Sequence, residues 1–130
     1  MGAAVTDVDN GWIHLRAEMR GQPVTLDVQS TARNRSMDLY GDFLEEGTER
    51  MRARPFMGTT LEQHDGFNAQ LTEVVNGVIA GGNIKEEMLR FAEYVIRHMR
   101  EVITQMGLVR SGDLGKLLMP HCRRGSKVLF

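Results

Sequence analysis

The side chains that could do chemistry in this chain are the imidazoles of His14, His64, His98 and His121, the thiol of Cys122, and a local run of acids, Asp38, Asp42, Glu45, Glu46 and Glu49. No two histidines stand at the spacing of a metal-ligand pair, and His121 next to Cys122 does not by itself make a zinc site. Cys122 with a distant histidine would be a nucleophile and its base. The neighbouring Arg123 and Arg124 would lower its pKa, but no recognisable motif surrounds it, and a buried neutral thiol is the simpler expectation. Two of the clustered carboxylates would serve acid/base chemistry; a solvated segment answering the nearby arginines explains them better. Gly81-Gly82 ahead of a helix lacks the Lys-Ser/Thr signature of a phosphate loop and reads as a connector. The residues therefore point to no catalytic, cofactor or metal set, and the expectation is a protein that is not an enzyme.

The remaining chemistry is cationic. Arg33, Arg35, Arg50, Arg52, Arg54, Arg123 and Arg124 fall in predicted loops. Guanidinium groups there suit phosphates or acidic patches on a protein. The formal net charge is −1, which argues against a general nucleic-acid binder and favours protein contacts.

The elements that must position these groups follow from length and pattern. A chain of 130 residues suits one domain with a core large enough to need no disulfide or metal. A single cysteine excludes an intrachain disulfide. The N-terminus has no basic start followed by an apolar run, so no signal peptide is expected, and no apolar stretch reaches the length of a membrane span. Nine methionines suit core filling first and a re-packing interface second.

Residues 12–20 alternate, with Ile13, Leu15, Ala17 and Met19 on one side and His14, Arg16, Glu18 and Arg20 on the other. Val24, Leu26 and Val28 alternate with Thr25, Asp27 and Gln29. The two runs around Gly21-Gln22-Pro23 predict a β-hairpin. Residues 30–37 read as a loop, 38–46 as a short helix or an edge strand, and 48–54 as extended, because Arg54 precedes Pro55. A helix is expected from Thr59 or Thr60, each with a capping-box partner (Glu62, Gln63). It carries Phe67, Leu71, Val74, Val75 and Val78 on one face, is weakened by Gly66 and Gly77, and ends at Gly81-Gly82.

Asn83 predicts the cap of a second, long helix of about 22 residues, bounded by Gly107 at C′. Its apolar stripe is Ile84, Met88, Phe91, Val95, Met99, Val102 and Met106, with Glu86/Arg90 and Glu93/Arg97 as i,i+4 pairs. Beyond it, 111–113 marks a turn, 113–118 a short helix, and the apolar end Val128-Leu129-Phe130 is expected to dock on its own subunit or a neighbour. The fold class expected is α+β: a small antiparallel sheet, built from the N-terminal hairpin, packed against two helices, one long.

The stretch "YGDFLEEGTERMRARPFMG", residues 40–58, fits no catalytic motif. Tyr40, Leu44, Glu45, Gly47, Thr48, Ala53, Arg54, Pro55, Phe56 and Met57 resemble the pattern of tail-completion and neck proteins of long-tailed bacteriophages: an aromatic, an apolar residue, Glu-x-Gly-Thr, then an arm ending in Arg-Pro-Phe before a helix. The helix at 81–104 and "VRSGDLGKLL" at 109–118 are similar to further pieces of such virion proteins, with Ser111 where the family's Asp-Thr-Gly-x-Leu box has Thr. In many relatives that box precedes the Glu-x-Gly-Thr motif, whereas here it follows.

The resemblance implies a single neck-like domain over 1–130. It implies a structural virion protein without catalysis, a commonly hexameric homo-oligomeric ring between head connector and tail tube, in a tail-completion or tail-terminator role. Partners would be the head-connector or portal-side proteins and the tail tube protein, with DNA in the channel as a further one, and no membrane. Localisation would be the virion neck, assembled in the host cytoplasm. Interface residues expected on this basis are Tyr40, Phe43, Glu45, Glu46, Arg50, Arg52, Arg54, Pro55, Phe56 and Met57, with Glu45/Glu46 meeting arm arginines of the next subunit. For Phe56, self-packing and intersubunit packing are equally weighted. The rival is a non-viral oligomeric adaptor or regulator whose Arg-rich loops bind nucleic acid or an acidic partner.

Overall fold

The computed structural model describes residues 5–9, 12–32, 44, 47, 53–64, 66–108 and 113–130. Strands β1 (Val5–Asp9), β2 (Trp12–Met19), β3 (Gln22–Ser30), β4 (Leu118–Arg124) and β5 (Lys127–Val128) form one antiparallel sheet in the order β1-β2-β3-β4-β5. Between β3 and β4 the chain runs through α1 (Phe56–Gln63), α2 (Phe67–Ile79), α3 (Ile84–Gln105) and the short α4 (Asp113–Lys116). The α+β class and the long helix agree with the sequence. The helical layer has more pieces than the two helices expected.

The hairpin forms with the predicted faces and a different turn. Arg20 and Gly21 both have positive φ (53° and 80°), the condition of a two-residue hairpin loop whose twist matches its strands. Proline cannot adopt positive φ, so Pro23 is displaced into β3, opposite Glu18.

Ile13, Leu15, Ala17, Met19, Val24, Leu26, Val28 and Cys122 line the inner face and join one core with the helices. The abundant methionines act largely as fillers: Met19, Met57, Met88 and Met99 are fully buried. Ser30, buried among them, donates its hydroxyl to the Leu114 carbonyl at 2.8 Å, which meets the requirement that a buried polar group be paired.

The helix expected from Thr59 or Thr60 begins earlier, at Phe56, and is interrupted at His64–Gly66 to give α1 and α2. Pro55 supplies a fixed φ at the N-cap and no side-chain cap forms, so the capping boxes are not used. Thr60 instead donates its hydroxyl back to the Phe56 carbonyl at 2.7 Å.

Helix α3 matches its expected bounds. Asn83 accepts from the Glu86 N–H at 3.1 Å. At the other end Gly107 (φ 72°) donates to the Thr104 carbonyl and Leu108 to the Ile103 carbonyl, the paired bonds of a Schellman ending. Neither expected i,i+4 pair is present: Arg90 reaches Glu87 at 3.4 Å, and the Arg97 guanidinium lies 5.8 Å from the Tyr94 ring centre.

The C-terminal segment is the main departure. Residues 118–124 are a strand, so Arg123 and Arg124 stand on a sheet and not in a loop. Pro120 is compatible with it because Cys122, two residues on, donates outward to the Phe130 carbonyl; the proline nitrogen therefore points away from β3 and costs no bond on that ladder. Of the apolar end, Leu129 and Phe130 are partly buried against the subunit's own core, whereas Val128 is exposed. Among the described residues no helix is long and apolar enough to cross a membrane.

Candidate functional site

Of the residues expected at an interface, Tyr40, Phe43, Glu45, Glu46, Arg50 and Arg52 lie outside the described residues, and Arg54, Pro55, Phe56 and Met57 lie within them. Phe56 and Met57 have no exposed surface. They open α1 inside the subunit's own core, so of the two readings of Phe56 the self-packed one is observed. Pro55 and Arg54 are exposed.

Arg54 has an intramolecular task. Its guanidinium donates from Nη2 to the Met106 carbonyl, at the C-terminal end of α3, where the helix leaves carbonyls unpaired and partial negative charge accumulates. Its backbone N–H donates to the Leu44 carbonyl at 2.6 Å. Leu44 is itself in the core. Leu44 and Arg54 are thus held side by side by a backbone hydrogen bond. The bond spans the sequence interval that holds Glu45, Glu46, Glu49, Arg50 and Arg52, which lie outside the described residues.

The histidines fall into two groups that the sequence did not connect. His64, at the C-cap of α1, stacks on His98 of α3 with ring centres 3.9 Å apart and planes 20° apart. Its Nε2 is 2.6 Å from the Tyr94 hydroxyl, and His98 Nδ1 is 3.4 Å from Glu101 Oε2. Phe67 packs edge-on to His64 at 4.5 Å. A cleft of about 230 Å³ beside them is lined by Thr60, Gln63, Glu101 and Gln105 among others. Imidazole lone pairs lie in the ring plane, so two rings this nearly parallel do not converge on one ion. The cluster fastens the α1–α2 corner to α3. No spacing rule joins positions 64 and 98; only the chain reversal between α1 and α3 does.

His14 and His121 belong to the sheet's outer face. The register places His14 opposite Asp27 and Asp27 opposite His121. His14 donates from Nδ1 to Asp27 Oδ1 at 2.6 Å. His121 and Cys122 are adjacent on one strand and so point to opposite faces. Among the described residues no three such groups are placed to hold a metal ion. Cys122 is fully buried, and its thiol is pushed up to about 12, first by burial and then by the Asp27 carboxylate. A thiol held neutral in this way is a poor nucleophile.

In comparisons with protein families, characterised proteins and solved structures, nothing matches this chain. The geometry is thus that of a helix-backed sheet with one open face, a backbone clasp between Leu44 and Arg54, and no assembled reaction centre among the described residues.

Proposed function

We propose that this chain is a structural, ring-forming subunit of a bacteriophage neck, of the tail-completion or tail-terminator type, joining a head connector to a tail tube. The observation that carries the reading is the clasp between the Arg54 N–H and the Leu44 carbonyl at 2.6 Å. That bond ties together two residues that flank the stretch in which the Glu-x-Gly-Thr and Arg-Pro-Phe pattern implies an arm. A segment anchored at one point on a rigid core can reach a neighbour at a low entropic cost to the subunit. Within it, Glu45 and Glu46 of one subunit pair with Arg50 and Arg52 of the next, a heterologous contact that closes into a ring. Arg54 is not one of these contacts, since it caps α3.

Light scattering over a concentration series, with negative-stain imaging of the same samples, tests the proposal. Closed rings are expected at high concentration, and Arg50→Glu with Arg52→Glu is expected to abolish them without lowering the melting temperature. A tight dimer unchanged by dilution, untouched by that double substitution, would overturn the neck reading. It would favour the small adaptor.

A further inference from the structure

Helix α3 is complemented by its own sequence at one end only. Its first turn carries Glu86 and Glu87, whereas its last turn carries no basic residue. Acids at a helix N-terminus and cations at a C-terminus both offset the helix dipole. The missing cation comes from a residue 52 positions away, Arg54, which donates from Nη2 to the Met106 carbonyl. Met106 is the C-cap of α3, where a carbonyl has no partner within the helix. The guanidinium lies beside the turn that ends the helix, since a Cβ at Gly107 would stand 3.9 Å from the same Nη2.

The backbone of Arg54 is engaged elsewhere. Its N–H donates to the Leu44 carbonyl at 2.6 Å, and Leu44 is buried in the core. Its carbonyl accepts from the Phe56 N–H at 2.9 Å, and Pro55 between them has a fixed φ. One residue therefore binds two places that the sequence separates: the Leu44–Arg54 clasp through its backbone, and the end of α3 through its side chain.

We infer that Arg54 is a coupling residue, through which the closure of the Leu44–Arg54 clasp and the closure of the α3 C-terminus depend on each other. Coupling of this kind is reciprocal, so whatever steadies one place steadies the other by the same factor. A partner that grips the sequence between Leu44 and Arg54 is then felt at residues 106–108. The identity of that partner rests on the ring reading. The coupling is a property of the single chain and is measured there, so the two fail separately.

The test is native-state hydrogen exchange, read amide by amide by NMR, on protein dilute enough for light scattering to show single subunits. The reporters are the amide at position 54 and the amides of Gly107 and Leu108, which donate to the Thr104 and Ile103 carbonyls. Arg54→Met keeps the backbone bond to Leu44 and removes the charge and the side-chain donor. Protection is expected to fall at all three amides by about two- to five-fold, the effect of a cation at an exposed helix terminus. Arg54→Lys should restore most of the loss, because one donor to one carbonyl needs no guanidinium fork.

The deciding arm starts from the other end. Gly107→Ala places a Cβ on a residue at φ 72° and loosens the helix ending. Protection at position 54 should fall by up to the same two- to five-fold when Arg54 is present, and should not change when Arg54→Met is already in place. Thermal melts confirm that each variant is folded. An effect of Gly107→Ala of equal size in both backgrounds would overturn the inference, since the loosening would not travel through the side chain. So would no effect at position 54 in either background, an Arg54→Lys variant no better than Arg54→Met, or an amide at position 54 that is unprotected in the unaltered chain.

Discussion

The two faces of the sheet are built from the same strands and obey opposite rules. On the inner face Ile13, Leu15, Val24, Leu26, Val28 and Cys122 are at most 1% exposed. One residue along each strand, the outer face carries His14, Arg16, Glu18, Thr25, Asp27 and Arg123, all with access to solvent. A period of two is enough to separate a face that holds the fold from a face free to bind. The inner face tolerates little change in volume. The outer face tolerates polar changes, which surface positions usually accept within about 0.5 kcal/mol.

The sharpest way to break this comparison is truncation on each side of β3. Leu26→Ala is predicted to cost about 3 kcal/mol, the transfer and cavity terms of a fully buried leucine. Thr25→Ala, its chain neighbour facing outward, should stay within about 0.5 kcal/mol. Urea melts of the two variants measure both. Losses of similar size would mean that the outer face is covered by something in the folded protein.

Next in size is the effect of alkali on Cys122. Its folded thiol titrates at about 12 against an ordinary value of 9.0. The unfolded chain therefore loses this proton first as pH rises, so the folded state binds more protons in that window and stability falls. The contribution is fully present below pH 9 and is lost progressively towards about 12. Cys122→Ala should flatten that alkaline slope. The native thiol should also resist a disulfide reagent at pH 8 until urea is added. Fast labelling of the folded chain would place Cys122 at the surface and erase the inner-outer distinction at β4.

A smaller effect tests the connector between α2 and α3. A Cβ at Gly82 would meet the Gly77 carbonyl oxygen at 2.9 Å. Gly82→Ala should thus destabilise by about 1–2 kcal/mol through local strain, read as a lower melting temperature, although Gly82 is exposed. At this surface position an inner-face penalty is expected on steric grounds, from contact with a backbone carbonyl.

How far these features were legible in the sequence follows from how local their causes are. The β2–β3 hairpin and α3 were readable because alternation, an Asn cap and a terminal glycine are encoded within a few residues of the structure they specify. The turn position was misread by one step, since Gly21-Gln22-Pro23 looks like the corner while the twist of the strands requires positive φ at Arg20 and Gly21. Strand β4 was missed because proline, a His-Cys pair and two arginines obscure its alternation, and its partner β3 lies about ninety residues away in sequence. The His64–His98 stack has the same long-range origin. Arg54 was legible as special, being the residue before the proline, but its partner at Met106 was not.

The smallest effect gives the most stringent comparison of the faces. His14 and Asp27 form the closest ion pair among the described residues, at 2.6 Å, yet the His14 side chain is 37% exposed. A pair open to water gains little, because solvent screens it and two side chains must be held still. A double-mutant cycle with His14→Ala, Asp27→Asn and both together should return a coupling of about 0.5 kcal/mol, and less at high salt. The Asp27→Asn arm carries a second readout. Asp27 also helps raise the Cys122 thiol through the sheet, so its loss should bring native-state thiol titration to a somewhat lower pH while leaving burial as the larger cause. A coupling above about 2 kcal/mol would be the size of a buried, hydrogen-bonded charge pair. The outer face would then be as structural as the inner one, and the period-two separation of a holding face from a free one would fail at the row of His14 and Asp27.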